Sequence, residues 1–127
     1  MTAPIPTNVH YHQQARELEL TYPGDERYRL PCEYLRVFSP SAEVRGHGKG
    51  QETLQVGKKF VGLKDITPTG RYALKLHFDD GHDSGLYSWD YLWWLIQHRE
   101  ANWAEYLERL EAAGASREPL GIEIRQL

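Results

Sequence analysis

A chain of 127 residues, 40% hydrophobic and 26% charged, suits one globular domain with a core of its own. Its net charge of -3 argues against a dedicated nucleic-acid binder, its single cysteine excludes an internal disulfide, and no apolar run approaches the roughly 20 residues that span a bilayer. The start MTAPIPTNVHYHQ lacks the basic-then-apolar layout of a secretory signal, so the expectation is a cytoplasmic protein with neither nucleic acid nor membrane among its partners.

Residues 1–7, with Pro4 and Pro6, read as a loose tail, and 8–127 as a single domain. Val9 to His12 is a candidate first strand. Glu17 to Tyr22 is a clearer one, because Leu18, Leu20 and Tyr22 alternate with Glu17, Glu19 and Thr21. Pro23-Gly24-Asp25 turns the chain, and Arg27 to Leu30 returns with Tyr28 and Leu30 inward and its arginines opposite Glu17 or Glu19. Pro31 suits the first position of a short helix over Cys32 to Arg36, which Ser39-Pro40-Ser41 stops.

From Ala42 to Lys59, punctuated by Gly46, Gly48, Gly50 and Gly57, the chain reads as a long ordered loop with a short strand at Thr53 to Val56. Phe60 to Ile66 then forms a hairpin with Tyr72 to Phe78 across Pro68-Thr69-Gly70, with Tyr72, Leu74, Leu76 and Phe78 on the buried face. Asp79-Asp80-Gly81-His82 is a turn, Ser84 to Tyr87 extends the sheet, and Ser88 caps a helix. Leu92, Ile96, Trp103, Leu107 and Leu110 mark an apolar helical stripe. Asn102 and Glu105 match a capping box that breaks the stripe near residue 100, and Gly114 closes the second helix. Of the adjacent Trp93 and Trp94, which cannot share one helix face, one should stay exposed; the tail offers an edge strand at Gly121 to Arg125. The fold class is α+β: an antiparallel sheet of hairpins, a short helix after the third strand, and two C-terminal helices packed on the sheet.

Charge is uneven along the chain. Arg45, Lys49, Lys58, Lys59 and Lys64 face only Glu52 within their span, whereas the span from Asp79 to Glu111 is mostly acidic. Such blocks attract each other or a partner. Arg45-Gly46-His47-Gly48-Lys49-Gly50 lacks the Gly-Lys-Ser/Thr end of a phosphate-binding loop, which leaves Arg45, His47 and Lys49 as candidate partner-binding residues. His98-x-Glu100 reads as helix surface. No serine or cysteine is paired with a histidine in a way that announces a nucleophile, and Cys32 reads as core. Cys32, His47, His77 and His82 are metal-ligand types, yet no Cys-x-x-Cys or His-x-x-x-His brings them together by spacing.

The runs Leu30-Pro31-Cys32-Glu33-Tyr34-Leu35-Arg36, Ser39-Pro40-Ser41-Ala42-Glu43-Val44-Arg45-Gly46-His47-Gly48, Gly70-Arg71-Tyr72-Ala73 and Asp80-Gly81-His82-Asp83-Ser84-Gly85-Leu86-Tyr87-Ser88-Trp89 resemble the γ-butyrobetaine hydroxylase-like N-terminal domain family over most of residues 8–114. The likeness is to the stand-alone bacterial branch, formerly a domain of unknown function; the same domain is also fused to P-loop ATPases of iron–sulfur cluster assembly. In the hydroxylases it precedes an iron and 2-oxoglutarate oxygenase domain and binds zinc through cysteines just after the Leu-Arg pair and a later histidine. His82 matches that histidine. After Leu35-Arg36, however, this chain has Val37-Phe38-Ser39-Pro40-Ser41, without the cysteines, and Cys32 precedes the pair. The resemblance thus implies a non-catalytic binding or adaptor domain with a protein partner, accessory to iron or iron–sulfur proteins. The alternative it implies is a zinc or iron site at His82 with Cys32 and His47. No oxygenase domain is included, so hydroxylase activity is not expected.

Overall fold

Strict alternation builds the first sheet. In the computed structural model, which describes residues 3–46 and 52–119, Leu18, Leu20 and Tyr22 of β2 (Glu17–Tyr22) are almost fully buried. β2 lies between β1 (Asn8–His12) and β3 (Glu26–Pro31) in an antiparallel sheet that sets Leu18 opposite Leu30 and Leu20 opposite Tyr28. The outer face carries the charges. Arg29 meets Glu17 at 2.9 Å and His12 Nε2 meets Glu19 at 2.6 Å, pairs that solvent screens and that add little to stability. Thr7 N–H, ahead of β1, donates to the Thr21 carbonyl at 2.7 Å.

β3 runs straight into α1 (Cys32–Val37), all of whose residues are buried. Pro31 is the extended residue before the helix, at φ -61 and ψ 142, one position earlier than expected; it belongs to the last pair of the β2–β3 ladder. Ser41 does more than stop α1. Its hydroxyl accepts from Glu43 N–H and caps a second short helix, α2 (Ala42–Arg45), where an irregular loop was expected. Thr53 to Val56 is not a strand: Thr53 N–H goes to the Val44 carbonyl at 2.7 Å, and no strand among the described residues pairs with it.

The second sheet has the order β4-β5-β6, from β4 (Leu63–Thr69), β5 (Ala73–Phe78) and β6 (Leu86–Ser88), all antiparallel. The expected Phe60–Ile66 strand therefore lies three residues further along, with Phe60 exposed outside it. Pro68 pairs opposite Leu74 because β4 is an edge strand, where a missing N–H is tolerated. The turn moves to Gly70, at φ +57, and Tyr72 is 61% exposed instead of facing inward; Ala73 is buried with Leu74, Leu76 and Phe78. β6 starts at Leu86, later than the expected Ser84.

One core joins both sheets to α1 and to Leu92 and Leu95 of α3 (Trp89–Gln97). Ser88 caps α3 as expected, accepting from Tyr91 N–H. The break before α4 (Arg99–Ala112) falls at His98, and Asn102 is not its cap. Asn102 is buried within α4 and donates to Tyr34 Oη at 3.1 Å, while Tyr34 Oη donates to the Leu95 carbonyl at 2.6 Å. Satisfying a buried phenol outweighs capping an exposed helix end. Gly114, at φ +64, ends the helix as expected. Trp94 is the exposed tryptophan of the pair, and Leu107, expected in the buried stripe, is 41% exposed. No helix among the described residues is long and apolar enough to cross a membrane. The expected strand at Gly121 to Arg125 lies outside the described residues.

Candidate functional site

The connection from β5 to β6 is built around Asp80. Its Oδ1 accepts from His82 N–H at 3.1 Å, Gly81 takes φ +92, and Phe78 N–H closes the turn on the His82 carbonyl at 2.9 Å. The His82 ring then points at the segment after α1, with Nε2 at 2.8 Å from Ser39 Oγ. Ser39 is fully buried and also accepts from Ser41 N–H. Ser41 Oγ bonds Ser84 Oγ at 2.8 Å, and Ser84 Oγ donates to Glu43 Oε1 at 2.5 Å. Gly85 makes this approach possible, since a Cβ there would stand 2.5 Å from Ser39 Oγ.

Cations close the cluster from one side. Asp80 Oδ2 accepts from Arg36 Nε at 2.9 Å and from Lys58 Nζ at 2.6 Å. Burial by itself would raise the Asp80 carboxyl, but Lys58, the His82 N–H and Arg36 together hold it below the usual carboxylate range. His82 is pushed the other way: burial, then the nearby Arg36 guanidinium, lowers its basicity and favours the neutral ring. Arg36 Nη1 is buried with no hydrogen-bond partner among the described residues.

Cys32 faces a different set of neighbours. It is fully buried, its N–H goes to the Arg16 carbonyl, and burial pushes its thiol up to about 12, with the Tyr11 phenol and the Asp79 carboxylate close by. Tyr11 Oη accepts from Leu63 N–H at 3.0 Å. A protonated, inaccessible thiol is a poor nucleophile.

The residues around His82 do not fit the zinc or iron that the family resemblance implies. His82 Nε2 is already engaged by a hydroxyl, the remaining donors are neutral serine oxygens and the Glu43 and Asp80 carboxylates, each already engaged within the chain, and Arg36 and Lys58 oppose a dication. Among the described residues no group of three or more His, Cys, Asp or Glu could hold a metal ion. Of the expected ligands, Cys32 lies beside Tyr11 and Asp79, and His47 lies outside the described residues.

Of the expected partner-binding residues, Lys49 and His47 lie outside the described residues, and Arg45 ends α2. Its guanidinium sits 5.8 Å from the Tyr91 ring centroid, a cation–π distance. Lys58 and Lys59, from the same basic block, turn to Asp80 and Glu118 within the chain. Arg45 and Tyr91 belong to a cleft of about 220 Å³ between the 52–55 segment, α3 and α4. Phe38, Trp94 and Tyr106 give it aromatic walls; Asn102, Glu105 and Arg109 give it polar edges. Tyr91 stacks on Trp94 at 5.8 Å and 15°, and Trp94 on His98 at 4.9 Å and 27°. The phenols are committed to backbone, Tyr91 Oη to the Phe38 carbonyl and Tyr106 Oη to that of Gln55, so both rings are fixed; Tyr106 is buried, and Trp94 presents the exposed ring face. The i, i+3, i+7 spacing of Tyr91, Trp94 and His98 was the available sequence signal for this face.

A solution structure determined by NMR is 49% identical to this chain, with 98% of each chain covered and a TM-score of 0.80. A second NMR structure is 47% identical over 98% of this chain and 92% of its own, with a TM-score of 0.78. A crystal structure of a protein of unknown function from Acidithiobacillus ferrooxidans, assigned to the DUF971 family, is 32% identical over 72% of this chain and 91% of its own, with a TM-score of 0.60. No curated protein matches the chain. The family described as gamma-butyrobetaine hydroxylase-like, N-terminal, matches residues 9–93, from β1 into α3 and including both the Ser39 segment and His82. The chain therefore belongs to the gamma-butyrobetaine hydroxylase-like N-terminal domain family.

Proposed function

We propose that this protein is a non-catalytic adaptor whose docking site is the cleft between the 52–55 segment, α3 and α4. The observation that carries this reading is the fixed aromatic wall of Tyr91, Trp94 and Tyr106 beside two cations, Arg45 and Arg109. Trp, Tyr and Arg are the side chains that most often dominate protein–protein binding energy. The occupant that suits them is a short segment of a partner protein with an apolar or aromatic side chain for the rings and a carboxylate for the guanidiniums. Arg45 also opens the basic run that continues to Lys49. The family's name sets the domain beside a hydroxylase, and the partner class we infer is an iron or iron–sulfur protein.

The test begins with capture on the immobilised full chain and identification of the retained protein. That protein is then purified, its iron and sulfide content measured, and its affinity determined by calorimetry against wild type, Trp94→Ala and Arg45→Glu. The reading expects an iron-containing partner and at least a tenfold loss of affinity in both variants, with circular dichroism unchanged. Affinity indifferent to both substitutions would remove the cleft as the docking site.

A further inference from the structure

We infer that the chain joins the segment after α1 to the β5–β6 connection by a hydrogen-bonded lock centred on Ser39 and His82, and that this lock does the work of a metal site without a metal. The segment after α1, with Arg36 of α1 and Glu43 of α2 on either side of it, lies more than 40 residues in sequence from the β5–β6 connection and is cross-linked to it four times by side chains. Ser39 Oγ meets His82 Nε2, Ser41 Oγ meets Ser84 Oγ, Ser84 Oγ donates to Glu43, and Arg36 Nε donates to Asp80. A structural metal in a small domain acts as such a cross-link, holding distant segments through a common centre. Here the same topological task is divided among neutral hydroxyls, one imidazole, the Glu43 carboxylate and one ion pair.

Three features make the arrangement specific. Ser39 is fully buried and His82 nearly so, so the hydrogen bond between them forms in a low-dielectric setting where an unpaired partner is costly. Gly85 leaves only the space that a serine hydroxyl fills; a Cβ at that position would already lie 2.5 Å from Ser39 Oγ. Arg36 and Lys58 add positive charge beside His82, which suits a neutral imidazole and disfavours a dication.

The experiment uses the full chain, expressed without a histidine tag, with zinc as the probe. Metal content is measured by plasma mass spectrometry after purification and again after incubation with excess zinc and gel filtration; thermal unfolding is followed with and without chelator. The lock expects less than a tenth of a metal ion per chain in both samples, and an unfolding midpoint that chelator leaves in place. Near-stoichiometric zinc or iron that is lost on His82→Ala, or a midpoint lowered by chelator, overturns it. A milder variant supplies the positive readout. Ser39→Ala should lower the folded-to-unfolded ratio about tenfold and shift the His82 imidazole nitrogen resonances in a 15N NMR spectrum. Imidazole resonances identical in Ser39→Ala and wild type would show that the Ser39–His82 bond does not form, and would overturn the lock even with no metal bound.

Discussion

The Ser39–His82 lock and the α3–α4 cleft share a wall, since Phe38 and Ser39 stand at the edge of the cleft while Ser39 Oγ belongs to the lock. On the lock side, hydroxyls, imidazole and carboxylates are spent on one another across two distant segments. On the cleft side, the polar tips of Tyr91 and Tyr106 are spent on backbone carbonyls, and the Trp94 ring face and the Arg45 side chain are left outward. Buried polar groups specify geometry because leaving any one unpaired is expensive, whereas a half-exposed ring costs the fold little if removed. Substitutions should therefore divide into those that damage stability and those that damage only docking.

Gly85→Val should have the largest effect. Its Cβ would overlap Ser39 Oγ and approach Pro40 Cδ at 3.3 Å, so the lock must deform. We expect a loss of about 3 kcal/mol, read by urea unfolding; a loss below about 1 kcal/mol would mean that Ser39 swings away freely and the lock is loose. Asp80→Asn comes next, because it strips Arg36 and Lys58 of their shared carboxylate and leaves the largely buried Arg36 with a neutral partner. The Asp80 side chain is 22% exposed, so the cost should be about 2 kcal/mol. Asp80 is held below the usual carboxylate range in the fold, so its contribution is present above the unfolded carboxyl pKa and is lost as pH falls through the folded value. Wild type should lose its advantage over Asp80→Asn on acidification, and a pH-independent difference between the two would contradict the ion pair.

Cys32 offers a reporter of the same energetics. The thiol is inaccessible and pushed up to about 12, so alkylation in native buffer should proceed only through opening of the fold. Asp80→Asn should then speed labelling about 30-fold, the factor that corresponds to its expected loss of stability. Labelling at equal rates in the two proteins would mean that Cys32 is reached by a local opening that does not involve the lock.

The parts of this architecture that could be read from sequence are those set by neighbours in the chain. β2 was legible because Leu18, Leu20 and Tyr22 alternate with polar residues, and α3 because Ser88 supplies its own cap. β4 lies three residues beyond its expected place because Pro68 looks like a turn in the sequence, whereas on an edge strand it pairs opposite Leu74. Asn102 imitated a cap, and only the fold brings Tyr34 to it from 68 residues away. His82 was singled out from its motif, but its partner was not, since the 43-residue separation to Ser39 carries no local signal. The Ser-Pro-Ser that ends α1 gave the nearest hint, three residues after Arg36 with two hydroxyls on either side of a rigid proline.

Trp94→Ala closes the series with the smallest expected cost to the fold. The ring is 40% exposed and contacts Tyr91 and His98 by stacking on the outside of α3, while the core beneath is supplied by Leu92 and Leu95. Removing an indole in that position should cost about 0.5 kcal/mol, within reach of precise urea titrations. Its affinity for the partner should nevertheless fall at least tenfold, because the indole is the largest face in the cleft not already buried by the chain itself. If Trp94→Ala instead lost as much stability as Asp80→Asn, the aromatic stack would be a structural brace, and the division between a lock that holds and a cleft that docks would fail. A small loss of stability together with a large loss of affinity would keep that division, because stability and docking would then respond to different residues of one small domain.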